Sequence, residues 1–345
     1  MNSWRPPRID LLVAFRWLVV VSQAATIAIT WPLWTVRDDP PLLPAVAGPQ
    51  FSPAIWLLLT LALGLVWPRL GVLLHLVLLL VAMLLDQTRM QPEVISLALL
   101  LVGTLPAAGA RLIGRTHLVA LWFFAGLHKL ASPGYFTGVI PWLFGTDAEK
   151  PSTALVIVGA LLAAAEMSLG LLALVPRTRR LCAVAACWFH LLVFAWLAAR
   201  LHWNPAVWPW NIALAAAGFA LVWPWQTSLA QDLQVVGWPA RVAAIVLLAS
   251  PVGYYFGLVD PYLAHCLYAR NVPKAERLTS SGPQPLDIWD ALRVPLPPAH
   301  RVLEQYFQAT ALPGERLVID DPRWWAHWRG WGRREIRAQA NDAAD

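Results

Sequence analysis

The chain has 345 residues, 58% of them hydrophobic and 13% charged, with a formal net charge of +6. Soluble domains carry about 25% charged residues, so this composition and a mean hydropathy of +0.55 exclude an ordinary soluble protein and indicate a polytopic membrane protein. The positive balance is no nucleic-acid signal, because most basic residues fall in short loops and in the C-terminal segment, as they do near a membrane.

The opening residues, Met1 to Arg8, show no cleavable signal pattern, so the first apolar run is expected to act as an uncleaved anchor. A span needs about 20 mostly apolar residues. About nine such runs are predicted, at 10–33, 53–68, 70–87, 93–108, 113–130, 152–175, 180–200, 205–223 and 240–259. The second and fourth are short and are expected to be tilted or partly buried in the bundle. Proline or arginine marks most joins, as at Pro68-Arg69, Gln91-Pro92, Pro176-Arg177 and Trp223-Pro224. No internal repeat is present, which weighs against an inverted-repeat transporter.

Basic residues in the short loops set the orientation. One side receives Arg5, Arg8, Arg69, Arg111, Arg115, Arg177, Arg179, Arg180 and Arg241; the other receives Arg37, Arg89, Lys150 and Arg200. The first side is therefore expected to be cytoplasmic, with the N-terminus, and the C-terminal segment external. The 21 tryptophans suit two lipid–water interfaces. Cys182 and Cys187 fall inside an apolar run, Cys266 lies in the tail, and there is no CxxC, so thiol–disulfide catalysis is not expected.

The expected fold class is an all-α integral membrane protein of about nine transmembrane helices, with a small external C-terminal α+β or amphipathic segment. Residues 1–260 form the membrane part and 261–345 the extracytoplasmic segment. Within that segment, 299–311 reads as an amphipathic helix and 314–320 as a turn and short strand. Trp324, Trp325, Trp328 and Trp331 then gather beside Arg323, Arg329, Arg333 and Arg334. That cluster is expected to anchor at the membrane surface; a cap over the bundle or a docking surface is the other reading.

Polar groups inside spans are costly and therefore candidates for a site. Arg16 lies about two turns into the first run and either snorkels or joins a buried ion pair. Asp86 ends the third run, as a helix cap or a counter-charge. Lys129 ends the fifth run, just before a loop; it either snorkels to headgroups or, poorly hydrated at the mouth of the bundle, serves as a base. His128 precedes it but points about 100° away on a helix. Glu166, near the middle of the sixth run, needs a partner at that depth, and Arg16 is one conceivable partner. His190 lies mid-run in the seventh, as a hydrogen-bonded core residue or an acid/base group. Asn211 enters the eighth from the external side. Asp86, Lys129 and Asn211 are expected in the outer half, with His190 near mid-depth. There is no metal-ligand cluster, HExxH, P-loop or GxSxG.

Four segments come in an order that resembles a known family: Val13-Ala14-Phe15-Arg16-Trp17, Leu84-Leu85-Asp86-Gln87-Thr88, Phe124-Ala125-Gly126-Leu127-His128-Lys129-Leu130 and Trp188-Phe189-His190-Leu191. Together they resemble the transmembrane domain of vitamin K-dependent γ-glutamyl carboxylase and its bacterial HTTM (horizontally transferred transmembrane) relatives, over roughly 8–225. The resemblance implies that Lys129 is the base that deprotonates reduced vitamin K and that His190 assists. The oxygenated quinone would then remove a γ-hydrogen from a peptide glutamate, and the carbanion would capture CO2. The carboxylase carries a stretch with Asp, Asn, His and Trp between its fourth and fifth spans; here the corresponding residues, Thr104 to Arg111, include no histidine or tryptophan.

The leading expectation is thus a carboxylase-like membrane enzyme of the bacterial cytoplasmic (inner) membrane. Its cofactor would be a reduced quinone of the vitamin K or menaquinol type, with O2 and CO2 if it is a true carboxylase. Lys129 and His190 would be catalytic, with Asp86, Asn211, Glu166 and Arg16 binding or orienting. The expected partners are membrane lipids and a secreted peptide or protein substrate. The competing expectations are a non-enzymatic factor for maturation or release of a secreted peptide, and a solute transporter.

Overall fold

Proline placement explains where many of the helices begin. A proline in the first turn loses no hydrogen bond, because the N–H it lacks would have no partner there. The computed structural model describes residues 10–146 and 151–338; Arg5, Arg8, Lys150 and the rest of the opening segment lie outside the described residues. Helix α1 (Leu11–Ile29) is capped by Asp10, whose carboxylate accepts the Leu12 N–H at 2.9 Å. Helices α2 (Ala54–Val66) and α3 (Pro68–Leu85) form a hairpin that turns at Trp67. Helix α4 (Pro92–Gly103) follows a short corner, and α5 (Ala108–Leu130) runs for 23 residues. A π-helical turn, Tyr135–Val139, leads into α6 (Ile140–Phe144). Helix α7 (Thr153–Leu174) is capped by Ser152. Helix α8 (Arg179–Ala195) continues through a π-helical turn, Trp196–Arg200. Helix α9 (Trp208–Ala217) continues likewise through Gly218–Val222. A capping box of Ser228 and Gln231 starts α10 (Leu229–Val235), and α11 (Trp238–Ala249) extends as 3-10 turns to Phe256.

Among the described residues, six helical stretches are long and apolar enough to cross a membrane: Leu11–Ile29, Pro68–Leu85, Thr153–Leu174, Pro176–Arg200, Pro205–Val222 and Trp238–Phe256. The other three expected runs correspond to α2, α4 and α5. Helices α2 and α4 have 13 and 12 residues. Helix α5 has the length, but Arg111, Arg115 and Lys129 lower its hydropathy. Helix α4 is buried over most of its surface, from Pro92 to Gly103, because apart from Glu93 and Ser96 it is apolar and packs against α1, α5 and α9.

The C-terminal part is α+β, as its composition suggested. Its elements are β1 (Lys274–Thr279), β2 (Gly282–Pro285), α12 (Trp289–Leu292), α13 (His300–Thr310), β3 (Arg316–Asp320), α14 (Trp324–Trp328) and β4 (Arg333–Arg337). The strands form one antiparallel sheet in the order β2-β1-β3-β4, with Glu276 opposite Val318 and Val318 opposite Glu335. Val302, Leu303, Tyr306 and Phe307 of α13 share a buried cluster with Leu317 and Ile319 of β3.

This part packs down on one end of the bundle, hereafter the tail end. Arg301 donates to Gln87 at 2.6 Å and to Asp260 at 2.6 Å. Gln305 donates to the Pro44 carbonyl at 3.0 Å, and Gln91 to the Pro295 carbonyl at 3.1 Å. Trp289 stacks on Trp203 with ring centres 5.1 Å apart. The tryptophan cluster divides: Trp325 is buried between Arg323 and Trp331, whereas Trp324 and Trp328 are exposed.

Candidate functional site

Helices α5 and α7 pack closely because small residues face the contact. A Cβ on Gly126 would run into the Met167 backbone nitrogen and the Ala163 carbonyl, so only glycine lets the two backbones approach there. Lys129 lies one turn beyond Gly126 on the same face, and Glu166 adjoins Met167. The approach brings Lys129 Nζ into an ion pair with Glu166 Oε2, and both side chains are mostly buried, 13% and 11% exposed. The partner of Glu166 is therefore Lys129 and not Arg16.

Arg16 is engaged elsewhere. It donates to the Thr104 carbonyl at 3.0 Å and the Thr104 hydroxyl at 3.3 Å, capping the C-terminus of α4, where helix carbonyls lack partners. Asp86 is also outside the site. Fully buried, it accepts from Arg37 at 2.7 Å, from the Thr88 hydroxyl at 2.8 Å and from the Leu43 N–H at 3.3 Å, with Arg89 at 3.4 Å. It ties the loop after α1 to the α3–α4 corner.

His190 on α8 and Asn211 on α9 do meet. Trp122 Nε1 donates to His190 Nε2 at 2.9 Å. An indole is a donor only, so that ring nitrogen must accept, and the proton sits on Nδ1. Nδ1 then donates to Asn211 Oδ1 at 3.1 Å, while the Asn211 amide donates to the Val207 carbonyl at 3.0 Å. Both imidazole nitrogens have partners. His190 can therefore act in proton transfer only after one of these bonds opens, which departs from the expected acid/base role.

The ion pair and the His190–Asn211 pair line one cavity of about 400 Å³ between the tail-end halves of α7 and α8. Its walls are otherwise mostly apolar, and Leu162, Leu192 and Trp196 belong both to the wall and to the bundle's outer apolar surface, at 38%, 65% and 40% exposure. Two of the three π-helical turns among the described residues, Tyr135–Val139 and Trp196–Arg200, contribute lining residues; such turns recur at functional sites because they re-aim side chains within a helix. No family model matches this chain, nor does any curated protein or solved structure.

The segment after α11 supplies three more wall residues, His265, Leu267 and Tyr268. His265 and Tyr268 have positive φ, +64° and +56°, a left-handed conformation costing about 1–2 kcal/mol per non-glycine residue. The sequence reading missed them because they lie beyond the last span, in a segment assigned wholly to the exterior. The available signal was the local composition Tyr262-Leu263-Ala264-His265-Cys266-Leu267-Tyr268, apolar and aromatic within a polar tail. Among the described residues no group of three or more His, Cys, Asp or Glu forms a metal site.

A second hollow, of about 590 Å³, lies at the opposite end of the bundle, lined by Asp10, Arg111, Arg115, Thr227 and Asp232 among others. Two of its charges are paired: Arg115 meets Asp232 at 3.3 Å. It shares no lining residue with the first cavity.

Proposed function

We propose that this chain crosses a bacterial cytoplasmic membrane nine times, counting α2, α4 and α5, with its tail outside, and that it belongs with the carboxylase-like HTTM proteins. On this reading the cavity takes a quinol from the bilayer, entering sideways between α7 and α8. The observation that carries the proposal is a mostly buried ion pair, Lys129–Glu166, set in an apolar cavity whose wall is continuous with the lipid-facing surface.

The residues present suit a lipid-soluble ring. Aromatic and aliphatic walls accommodate the ring, and the polar groups are few and gathered at the tail end, as in small-molecule sites generally. Bound there, a quinol supplies a ring hydroxyl of removable proton. Lys129 and Glu166 act as one unit: a Glu166 oxygen offers a place for that proton, and the Lys129 ammonium stands beside it to offset negative charge developing on the ligand. The apolar walls exclude water and strengthen both effects. His190, locked by Trp122 and Asn211, fixes the shape and polarity of the α8–α9 wall. If the chemistry is carboxylation, O2 and CO2 are co-substrates and a secreted peptide is the acceptor.

The test uses the purified chain in lipid nanodiscs and 2-decyl-1,4-naphthohydroquinone as probe, under anaerobic calorimetry. Saturable binding is expected, weakened about tenfold or more by Lys129→Met, equivalent to about 1.4 kcal/mol. Binding that ignores both Lys129→Met and Glu166→Gln would remove the proposal.

A non-enzymatic role in maturation or release of a secreted peptide draws on a different observation: Lys129 and both His190 nitrogens already have protein partners. That reading expects the peptide to co-purify and Lys129→Met to be tolerated in its release. The transporter reading has less support, since the two hollows stay separate.

A further inference from the structure

A ligand in the cavity needs groups that still have hydrogen-bonding capacity. His190 has none to spare, because both its nitrogens are used. His265 differs. It lines the same cavity as Lys129 and Glu166, and its side chain has no hydrogen bond among the described residues. Its backbone is held in the left-handed region at φ +64°, which a non-glycine residue adopts at a cost. Such outliers recur where a side chain is held for a ligand.

A second histidine, His117 of α5, stands beside it with one unused nitrogen. The Trp210 indole donates to Ser96 Oγ at 2.8 Å, so the Ser96 hydroxyl proton is free to go to His117 Nε2, 2.7 Å away. The other ring nitrogen of His117, Nδ1, is buried and has no partner. The His117 ring, 1% exposed, lies 5.6 Å from the His265 ring. Among the cavity's polar groups with unused capacity are thus the Lys129–Glu166 pair on α5 and α7, and His265 in the segment that follows α11.

We propose that His265, backed by His117, is a second ligand-binding group that meets a second oxygen of the head group. The favoured ligand is then a lipid-soluble ring carrying two oxygens, one for the ion pair and one for His265, and not an amphiphile with a single hydroxyl. This rests on the reading of the cavity as the ligand site.

Two measurements on the full-length protein in nanodiscs test it. First, diethyl pyrocarbonate reacts with free imidazole nitrogens, and mass spectrometry locates the product. His265 is expected to react about tenfold faster than His190, with exposed His327 as a positive control, and 2-decyl-1,4-naphthohydroquinone is expected to protect it. Second, that probe is compared with 4-decylphenol by calorimetry. The wild type is expected to prefer the two-oxygen probe about tenfold. His265→Leu should abolish the preference without weakening the phenol, and His265→Gln, which keeps a donor and an acceptor, should retain part of it. Equal, slow labelling of His265 and His190, or an undiminished preference in His265→Leu, overturns the inference alone. Failure of both probes to bind the wild type overturns the quinol reading and this inference together.

Discussion

Lys129 and Glu166 were each visible in the sequence as polar groups in apolar runs, but their pairing was not. Sequence position fixes a residue's depth; it does not say which helices adjoin. Helix α7 lies against α5, and Arg16 of α1 is committed to the Thr104 end of α4. The pair has a measurable signature. Removing one member leaves the other charge poorly solvated, which costs about 3–5 kcal/mol for a buried pair, whereas replacing both with apolar groups of similar size is far less harmful. Lys129→Met and Glu166→Leu are therefore each expected to lower stability in detergent, and the double variant to recover most of the loss. Thermal unfolding of the four proteins closes the cycle; additive losses would mean that the two side chains do not interact. The same reasoning explains why Asp86 proved structural. Its partners Arg37 and Arg89 come from short loops, whose spatial course no hydropathy pattern records.

At the scale of elements, helix positions were largely legible and helix contacts were not. Prolines at the starts of α3, α4, α9 and α11 punctuate the sequence because they suit a first helical turn. The amphipathic α13 and the strand β3 also appeared where the composition placed them. What composition hides is close approach. Gly126 reads as a neutral small residue, yet it decides how near α5 comes to α7 and hence whether Lys129 reaches Glu166. Gly126→Leu is expected to push the helices apart, break the ion pair and abolish binding of the hydroquinone probe. Gly126→Ala should do so in part, since even one methyl meets the Met167 backbone. A probe titration of both variants beside Gly170→Ala, which disturbs the same helix pair away from the cavity, separates loss of the site from general loosening.

For the whole molecule, the decisive feature is how the tail is joined to the bundle, because His265, Leu267 and Tyr268 of the connecting segment line the cavity. Asp321, 1% exposed, is its ionic centre. It accepts from His300 at 2.7 Å and from Arg323 at 2.7 Å, and Arg323 reaches on to the Tyr254 carbonyl at 3.3 Å, over the Tyr254 ring. Burial alone would raise the carboxyl's pKa; the hydrogen bonds from His300 and Arg323 and the nearby guanidinium charge outweigh it, holding the group at about 2 against an ordinary 3.8. A carboxylate whose folded pKa is depressed stabilises the folded state fully above its unfolded value. That contribution, about 2 kcal/mol, is lost as the pH falls from about 4 toward 2. Acidification across that window is therefore expected to loosen the tail, seen as new proteolytic cleavage between 257 and 272 by an acid-active protease. Asp321→Asn cannot lose a charge there. It should be cut more readily at neutral pH by a neutral protease and show no further step between pH 4 and 2 with the acid-active one; an acid step identical to that of the wild type would mean that another group governs the joint.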